Sequence, residues 1–233
     1  MRNIVFLASA QAQKPEILIR TFYDSIDPDT AKGVLLTNGS DGNVVKMAKD
    51  FGMSIILTPD SKFQDEEWVY RSLHQYKESI LVSCGWPFKI PPSVIRIFYA
   101  ALNCHGSYLP DYRGSRAYMH YWANCSEYYG AAIHYLNEKF DDGNILVRGK
   151  LKMLEQESHD DVFIRTAELC GHLLVSAVVM ASNHEPGYTA PGEKRYFFQR
   201  TPAEYEEHHR ENLERIADGL PVKLTPHKVL KQL

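Results

Sequence analysis

Short β-branched and apolar runs alternate with amphipathic stretches through the first two thirds of the chain, which predicts a doubly wound, mostly parallel α/β sheet. The strand positions are Asn3 to Ala8, Gly33 to Leu36, Ser54 to Leu57, Ser79 to Ser83 and Ala100 to His105. Helices fit between them at Glu16 to Asp24, Asn43 to Phe51, Asp65 to Tyr76 and Pro92 to Phe98. Crossovers of this kind are right-handed and leave ligand sites beyond the carboxyl ends of the strands. The rhythm then changes. A helix near Ser115 to Cys125 precedes two β runs, GAAIHYL and NILVRGKLKML, separated by the turn-rich NEKFDDG. That arrangement fits either a hairpin or two strands joined by a longer loop.

A long helix is expected from about Asp160 to Ser182. Its apolar residues, among them Val162, Leu169, Leu173, Leu174 and Val178, suit a core or a subunit interface. From Asn183 the chain turns loop-like, passes through an aromatic YFF and enters a charged helix with Thr201 as N-cap and Pro202 in the first turn. The predicted organisation is a catalytic domain over residues 1–183 and a small C-terminal appendage over residues 184–233.

Composition narrows the class. The chain has 233 residues, 44% of them hydrophobic and 24% charged, as in an ordinary globular protein. A formal net charge of -3 with no long basic block argues against nucleic acid as a partner. The opening MRNIVFLASA reads as a buried first strand rather than a secretory leader. The longest wholly apolar run, LLVSAVVMA, falls short of the roughly 20 residues that cross a bilayer, so no membrane association is expected. Cys84, Cys104, Cys125 and Cys170 form no C-x-x-C pair, which favours reduced thiols and a cytoplasmic setting, and no zinc-ligand spacing is present.

The most informative stretch begins at Ala101: ALNCHGSYLPDYRGSRAYMHYW. On an extended strand side chains alternate, so Asn103 and His105 share a face and Cys104 takes the other. An amide that can donate to an oxyanion beside an imidazole that exchanges a proton near neutral pH suits addition to a carbonyl. Alone, N-x-H is a weak signal. It gains weight from IHYLNEKFDDGNI downstream, where Asp141 and Asp142 precede Gly143 and a carboxylate can return to the strand end to orient His105.

With these segments in hand, the chain resembles the 10-formyltetrahydrofolate-dependent formyltransferases that act on methionyl-tRNA, glycinamide ribonucleotide and nucleotide sugars. N-C-H-G-S-Y-L-P-D-Y-R-G stands for the family's N-x-H-x-S-x-L-P-x-x-R-G, and I-H-Y-L-N-E-K-F-D-D-G-N-I for its I-H-x-x-D-x-x-x-D-x-G-x-I. The resemblance implies a Rossmann-like fold, catalytic roles for Asn103, His105 and Asp141, and a more variable position at Asp142. It also implies 10-formyltetrahydrofolate as formyl donor, with no metal, bound where LVSCGWPFKIPPSVI brings Phe88, Lys89 and Ile90 to the pterin. Asn137 stands where the family usually has an Asp; because the resemblance implies that this segment meets the pterin largely through main-chain atoms, Asn137 is still expected to contact the cofactor, together with Asp141.

Among acceptors, the tail is too short and acidic for the tRNA-holding domain of methionyl-tRNA enzymes. The first loop, ASAQAQKPE, lacks the glycines of a ribonucleotide phosphate cradle. The favoured acceptor is therefore the amine of a nucleotide-linked amino-dideoxysugar, such as a dTDP- or GDP-4-amino-4,6-dideoxyhexose, of the kind used in lipopolysaccharide O-antigen biosynthesis. Ser107, Tyr108, Tyr112, Arg113 and Trp122 are its candidate contacts, although Trp122 also suits a core position and Arg113 a turn brace. NGSDG at Asn38 to Gly42 reads mainly as a turn, and His134, His208 and His209 as structural. A formyltetrahydrofolate hydrolase, a glycinamide ribonucleotide enzyme and an inactive folate-binding module are the alternatives, and a homodimer through the long helix or the aromatic tail is expected.

Overall fold

The computed structural model describes residues 2–27 and 30–230; the last three residues of the predicted appendage lie outside them. Seven strands form one sheet in the order β3-β2-β1-β4-β5-β6-β7. Strands β1 (Ile4–Leu7), β2 (Gly33–Thr37), β3 (Ser54–Leu57), β4 (Ile80–Ser83) and β5 (Ala100–His105) run parallel. Strands β6 (Tyr128–Tyr135) and β7 (Ile145–Lys152) add antiparallel at one edge and pair with each other, so the two readings merge in a hairpin with a nine-residue loop. Strand order reverses between β1 and β4, so a crevice opens beyond their carboxyl ends.

Both faces of the sheet are covered, which explains why β1 is an unbroken IVFL rather than an alternating pattern. Ile4 and Phe6 enter one core with α1 (Gln13–Asp24), α2 (Asn43–Asp50) and α6 (His159–Ser182). Val5 and Leu7 enter the other with α3 (Glu66–Leu73) and α4 (Pro92–Ile95). Two helices are shorter than the pattern predicts. Helix α3 tightens into a 3₁₀ turn at His74–Tyr76, and α4 is a single turn because the chain must descend at once to enter β5.

Helix α6 starts in a capping box, with Ser158 and Asp161 each bonding the other's backbone. By length and composition it could cross a membrane, with mean hydropathy 1.6, yet its packing on α1 and under the sheet makes it a core helix. A side chain at Gly171 would collide with the Leu18 carbonyl, so this residue lets the two helices meet closely.

After Asn183 the chain folds back onto the same body. Strand β8 (Arg195–Phe197) pairs with β9 (His227–Val229), and α7 (Pro202–Ala217) begins with the expected Thr201 cap and packs on α5 (Ala117–Ala123).

Candidate active site

Strand β5 carries the predicted polar pair to the crevice. Leu102 and Cys104 point into the first core, while Asn103 and His105 face the other way and line a cavity of about 590 Å³. Antiparallel pairing sets Asn103 opposite His134 of β6, so their side chains are neighbours on one face. The loop after β6 returns Asp141 to the same point. Its carboxylate Oδ1 lies 3.2 Å from His105 Nδ1 and accepts from Asn103 Nδ2 at 3.4 Å, and its Oδ2 accepts from the Gly114 N–H at 3.1 Å. Asn103 Nδ2 also lies 3.1 Å from His134 Nε2, whose ring is oriented by a 2.8 Å bond between Nδ1 and the Tyr135 carbonyl.

The electrostatics follow from burial and partners. Desolvation pushes the His105 pKa down, against the attraction of Asp141. Desolvation likewise depresses His134, to about 4. Burial alone would raise the Asp141 carboxyl, but the neighbouring His105 and His134 and the Gly114 N–H hold it below the ordinary carboxylate value. Asp141 is thus an anion, and His105 a neutral base, near pH 7. His105 Nε2 lies 3.2 Å from the Tyr112 carbonyl, so both ring nitrogens face acceptors.

Two segments that carry the residues expected to meet the cofactor form walls of the cavity. Trp86, Phe88, Lys89 and Ile90 follow β4, and Leu136, Asn137, Lys139 and Phe140 follow β6. Main-chain polar groups of Phe88, Lys89 and Ile90 have no hydrogen-bond partner among the described residues, and the buried Trp86 Nε1 has none either. Asn137 spends its side chain on its own turn, accepting from the Lys139 N–H at 2.9 Å.

The five predicted acceptor contacts lie elsewhere. Ser107 is fully buried and donates to the Asp111 carbonyl. Tyr108 is flanked by Arg148 and Lys150. Tyr112 is stacked between Tyr121 and Phe197. Arg113 is 5% exposed, donates to the Pro110 carbonyl and pairs with Asp142. Trp122 stacks on His209 of α7 and donates to the Glu157 carbonyl. None lines the cavity, because the chain after Gly106 turns inward to pack against α5 and the C-terminal segment. The remaining wall comes instead from Lys14, Arg116, Tyr118, Thr166, Tyr196 and Gln199.

Of these, only Lys14, in the first turn of the helix after β1, was within reach of strand-end reasoning; the others need the tertiary fold. His134, read as structural, sits in the cavity wall beside Asn103, and its signal was the register of two polar positions in apolar strands. Among the described residues no three His, Cys, Asp or Glu side chains cluster as metal ligands. NGSDG serves as a turn, with Asn38 accepting from the Ala10 N–H.

A mostly parallel sheet with an amide, an imidazole and a carboxylate at one strand end suits an enzyme of acyl-transfer type. The formyl transferase family model matches residues 2–178, and the chain belongs to that family. It is 30% identical over 120 residues to the methionyl-tRNA formyltransferase of Mycoplasmopsis pulmonis (strain UAB CTIP), a match covering 50% of this chain and 42% of that protein. It is 25% identical over 171 residues to the phosphoribosylglycinamide formyltransferase of Escherichia coli (strain K12), covering 70% and 79%. The match thus spans about two fifths of the methionyl-tRNA enzyme and about four fifths of the ribonucleotide enzyme. A sugar N-formyltransferase from Shewanella sp FDAARGOS_354 shares the fold, with TM-score 0.64 and 15% identity over 89% of this chain and 86% of that one.

Proposed function

We propose that the protein transfers a formyl group from 10-formyltetrahydrofolate to the amine of a nucleotide-linked amino-dideoxysugar, as a cytoplasmic enzyme. The observation that carries the reading is the meeting of Asn103, His105 and Asp141 on one cavity, beside main-chain edges that have no partner. An apolar wall of Trp86, Phe88 and Ile90 with free N–H and C=O groups at Phe88 to Ile90 fits a flat, hydrogen-bonding pterin.

The folate supplies a formyl carbon already attached to a departing nitrogen. Asn103 Nδ2 exchanges its long 3.4 Å bond to Asp141 for the formyl oxygen and stabilises the negative charge that builds there. His105, with Nδ1–H donated to Asp141, takes the proton of the attacking amine at Nε2. The Tyr112 carbonyl, 3.2 Å away, accepts from that nitrogen once it is protonated. Asp141 balances the imidazolium charge, and the same proton can then pass to the departing nitrogen. Holding both substrates together in near-attack geometry accounts for the remainder of the rate.

Charge on the cavity wall supports a phosphorylated acceptor. Lys14, Lys89, Arg116 and Lys139 line it without a carboxylate partner among the described residues, and Asp141 is the only lining carboxylate. Sugar and glycinamide ribonucleotide formyltransferases share this fold alike, so the choice of a sugar amine rests on the first loop, which lacks the glycines of a phosphate cradle. The test is tetrahydrofolate formation by the purified protein with a panel of nucleotide-linked amino sugars and with glycinamide ribonucleotide. Turnover that requires an amino sugar upholds the reading. Release without any amine would make it a hydrolase, and no release with any acceptor would leave a folate-binding module.

A further inference from the structure

Asp141 is the residue whose placement is hardest to explain from its own segment. Its φ of 50° lies in the left-handed region, which costs a residue with a side chain roughly 1–2 kcal/mol. Such a conformation persists only where the surroundings over-determine it. The two residues that follow it are both fixed. A side chain at Gly143 would strike the Tyr135 carbonyl, so the chain there lies tight against β6. Asp142 Oδ1 is held between Arg113 Nη1 at 2.6 Å and Lys194 Nζ at 2.8 Å. Partial burial opposes ionisation of Asp142, yet Lys194 and Arg113 keep its carboxyl below the ordinary value.

Lys194 belongs to the C-terminal segment, and it does not act alone. The Arg113 N–H donates to the Arg195 carbonyl and the Phe197 N–H to the Arg113 carbonyl, both at 2.9 Å, while Arg195 Nη1 pairs with Asp111 at 3.1 Å. Residues 111–114 are therefore gripped from one side by β8. From the other side the same four residues serve the site, through the Tyr112 carbonyl at His105 and the Gly114 N–H at Asp141. The void of about 20 Å³ that Lys194 lines, between Asp142 and Tyr188, has room for about one water and none for a substrate.

We infer that the C-terminal segment completes the catalytic centre, with Lys194 acting as a positioning residue that fixes Asp141 through Asp142 and the 111–114 loop. The inference rests on the proposed role of Asp141 at His105. A flexible loop at this point would let the carboxylate drift from Nδ1, and a misplacement of about 1 Å costs up to about 100-fold in rate.

The experiment compares wild type with Lys194→Met, Lys194→Arg and Asp142→Asn. A partly exposed ion pair contributes about 1 kcal/mol or less, so Lys194→Met folds. Its kcat is expected to fall roughly 10-fold with the KM of both substrates unchanged, a split that marks misplacement rather than lost binding. Lys194→Arg restores the rate, and Asp142→Asn combined with Lys194→Met loses no more than the worse single variant, because both act through one contact.

A second readout needs no turnover: the low-field proton resonance of His105 Nδ1–H bonded to Asp141 is present in wild type and Lys194→Arg and lost or displaced in Lys194→Met. Wild-type kcat and an unchanged resonance in Lys194→Met would overturn the inference. A wild type that transfers no formyl group would defeat the proposed function instead, and the resonance still decides the role of Lys194.

Discussion

Two buried histidines, one at the strand end and one under the C-terminal segment, show what separates a chemical centre from a structural one. His120 on α5 is 0% exposed, and its ring nitrogens meet the hydroxyls of Thr225 at 2.8 Å and Tyr205 at 2.9 Å. A hydroxyl can donate or accept, so the neutral ring is satisfied in either tautomer. No carboxylate is among its partners, and burial depresses its pKa to about 4. His105 is also buried, but its nitrogens face a carboxylate and a carbonyl, which only accept. The neutral ring leaves one of these acceptors without a proton, whereas the imidazolium satisfies both. A network satisfied in one protonation state is rigid; one divided between two states is ready to move a proton.

The sharpest way to break that contrast is Asp141→Asn. Asparagine nearly preserves the shape but removes the charge that balances imidazolium and fixes the tautomer. Single-turnover kinetics are expected to show a loss of roughly 10,000-fold, the order for an orienting carboxylate, with the melting temperature little changed. Asn103→Ala comes next, at roughly 100 to 1,000-fold in the chemical step with substrate affinity retained. Near wild-type turnover in either variant would remove that residue from the mechanism.

How far these centres could be read from the chain depends on how local each one is. The sheet was legible because IVFL, GVLLT and ILVS are buried on both faces and bounded by amphipathic helices, a pattern with one economical solution. Asn103 and His105 were legible because a strand alternates, and Asp141 because the motif around it has a fixed spacing. The side chains of Ser107, Tyr108, Tyr112, Arg113 and Trp122 stand off the cavity, because nearness to His105 in sequence is not nearness to the cavity. The chain dives into the protein after Gly106, and these side chains are consumed by packing. Arg116, Thr166 and the pair Tyr196 and Gln199 come from three separate stretches of the chain and share no periodicity, so only the folded chain brings them together.

Arg116 sharpens the comparison from the substrate's side. It is exposed, holds a left-handed φ of 56° and lines the cavity with no carboxylate partner among the described residues. Losing one cation from a phosphate contact removes a charge-assisted bond, so Arg116→Met should raise the acceptor KM about 10-fold while kcat and the folate KM hold. Initial rates with phosphorylated and unphosphorylated amines check this. An equal change for both acceptors would exclude a charge effect.

His120 provides the smallest effect on activity, and its signature is in stability. Its ordinary pKa of 6.5 applies in the unfolded chain, and the folded value is about 4. Between these limits the unfolded state binds a proton that the folded state refuses. The contribution is therefore fully present above about pH 6.5 and is lost as pH falls toward about 4, at up to about 1.4 kcal/mol per pH unit for one group. His134, depressed to the same value, adds an equal slope in the same window. Asn can keep one of the two hydroxyl bonds, so His120→Asn folds with a lower melting temperature at pH 7 and a shallower decline below pH 6. The kcat of that variant should fall less at pH 7 than in Lys194→Met, because neither hydroxyl bond it disturbs reaches an atom of the His105 network and its link to the 111–114 loop runs through ring packing on Phe197. A steep acid decline that survives His120→Asn would assign the proton uptake to the strand end instead, and would make acid sensitivity a property of the catalytic centre rather than of the seam.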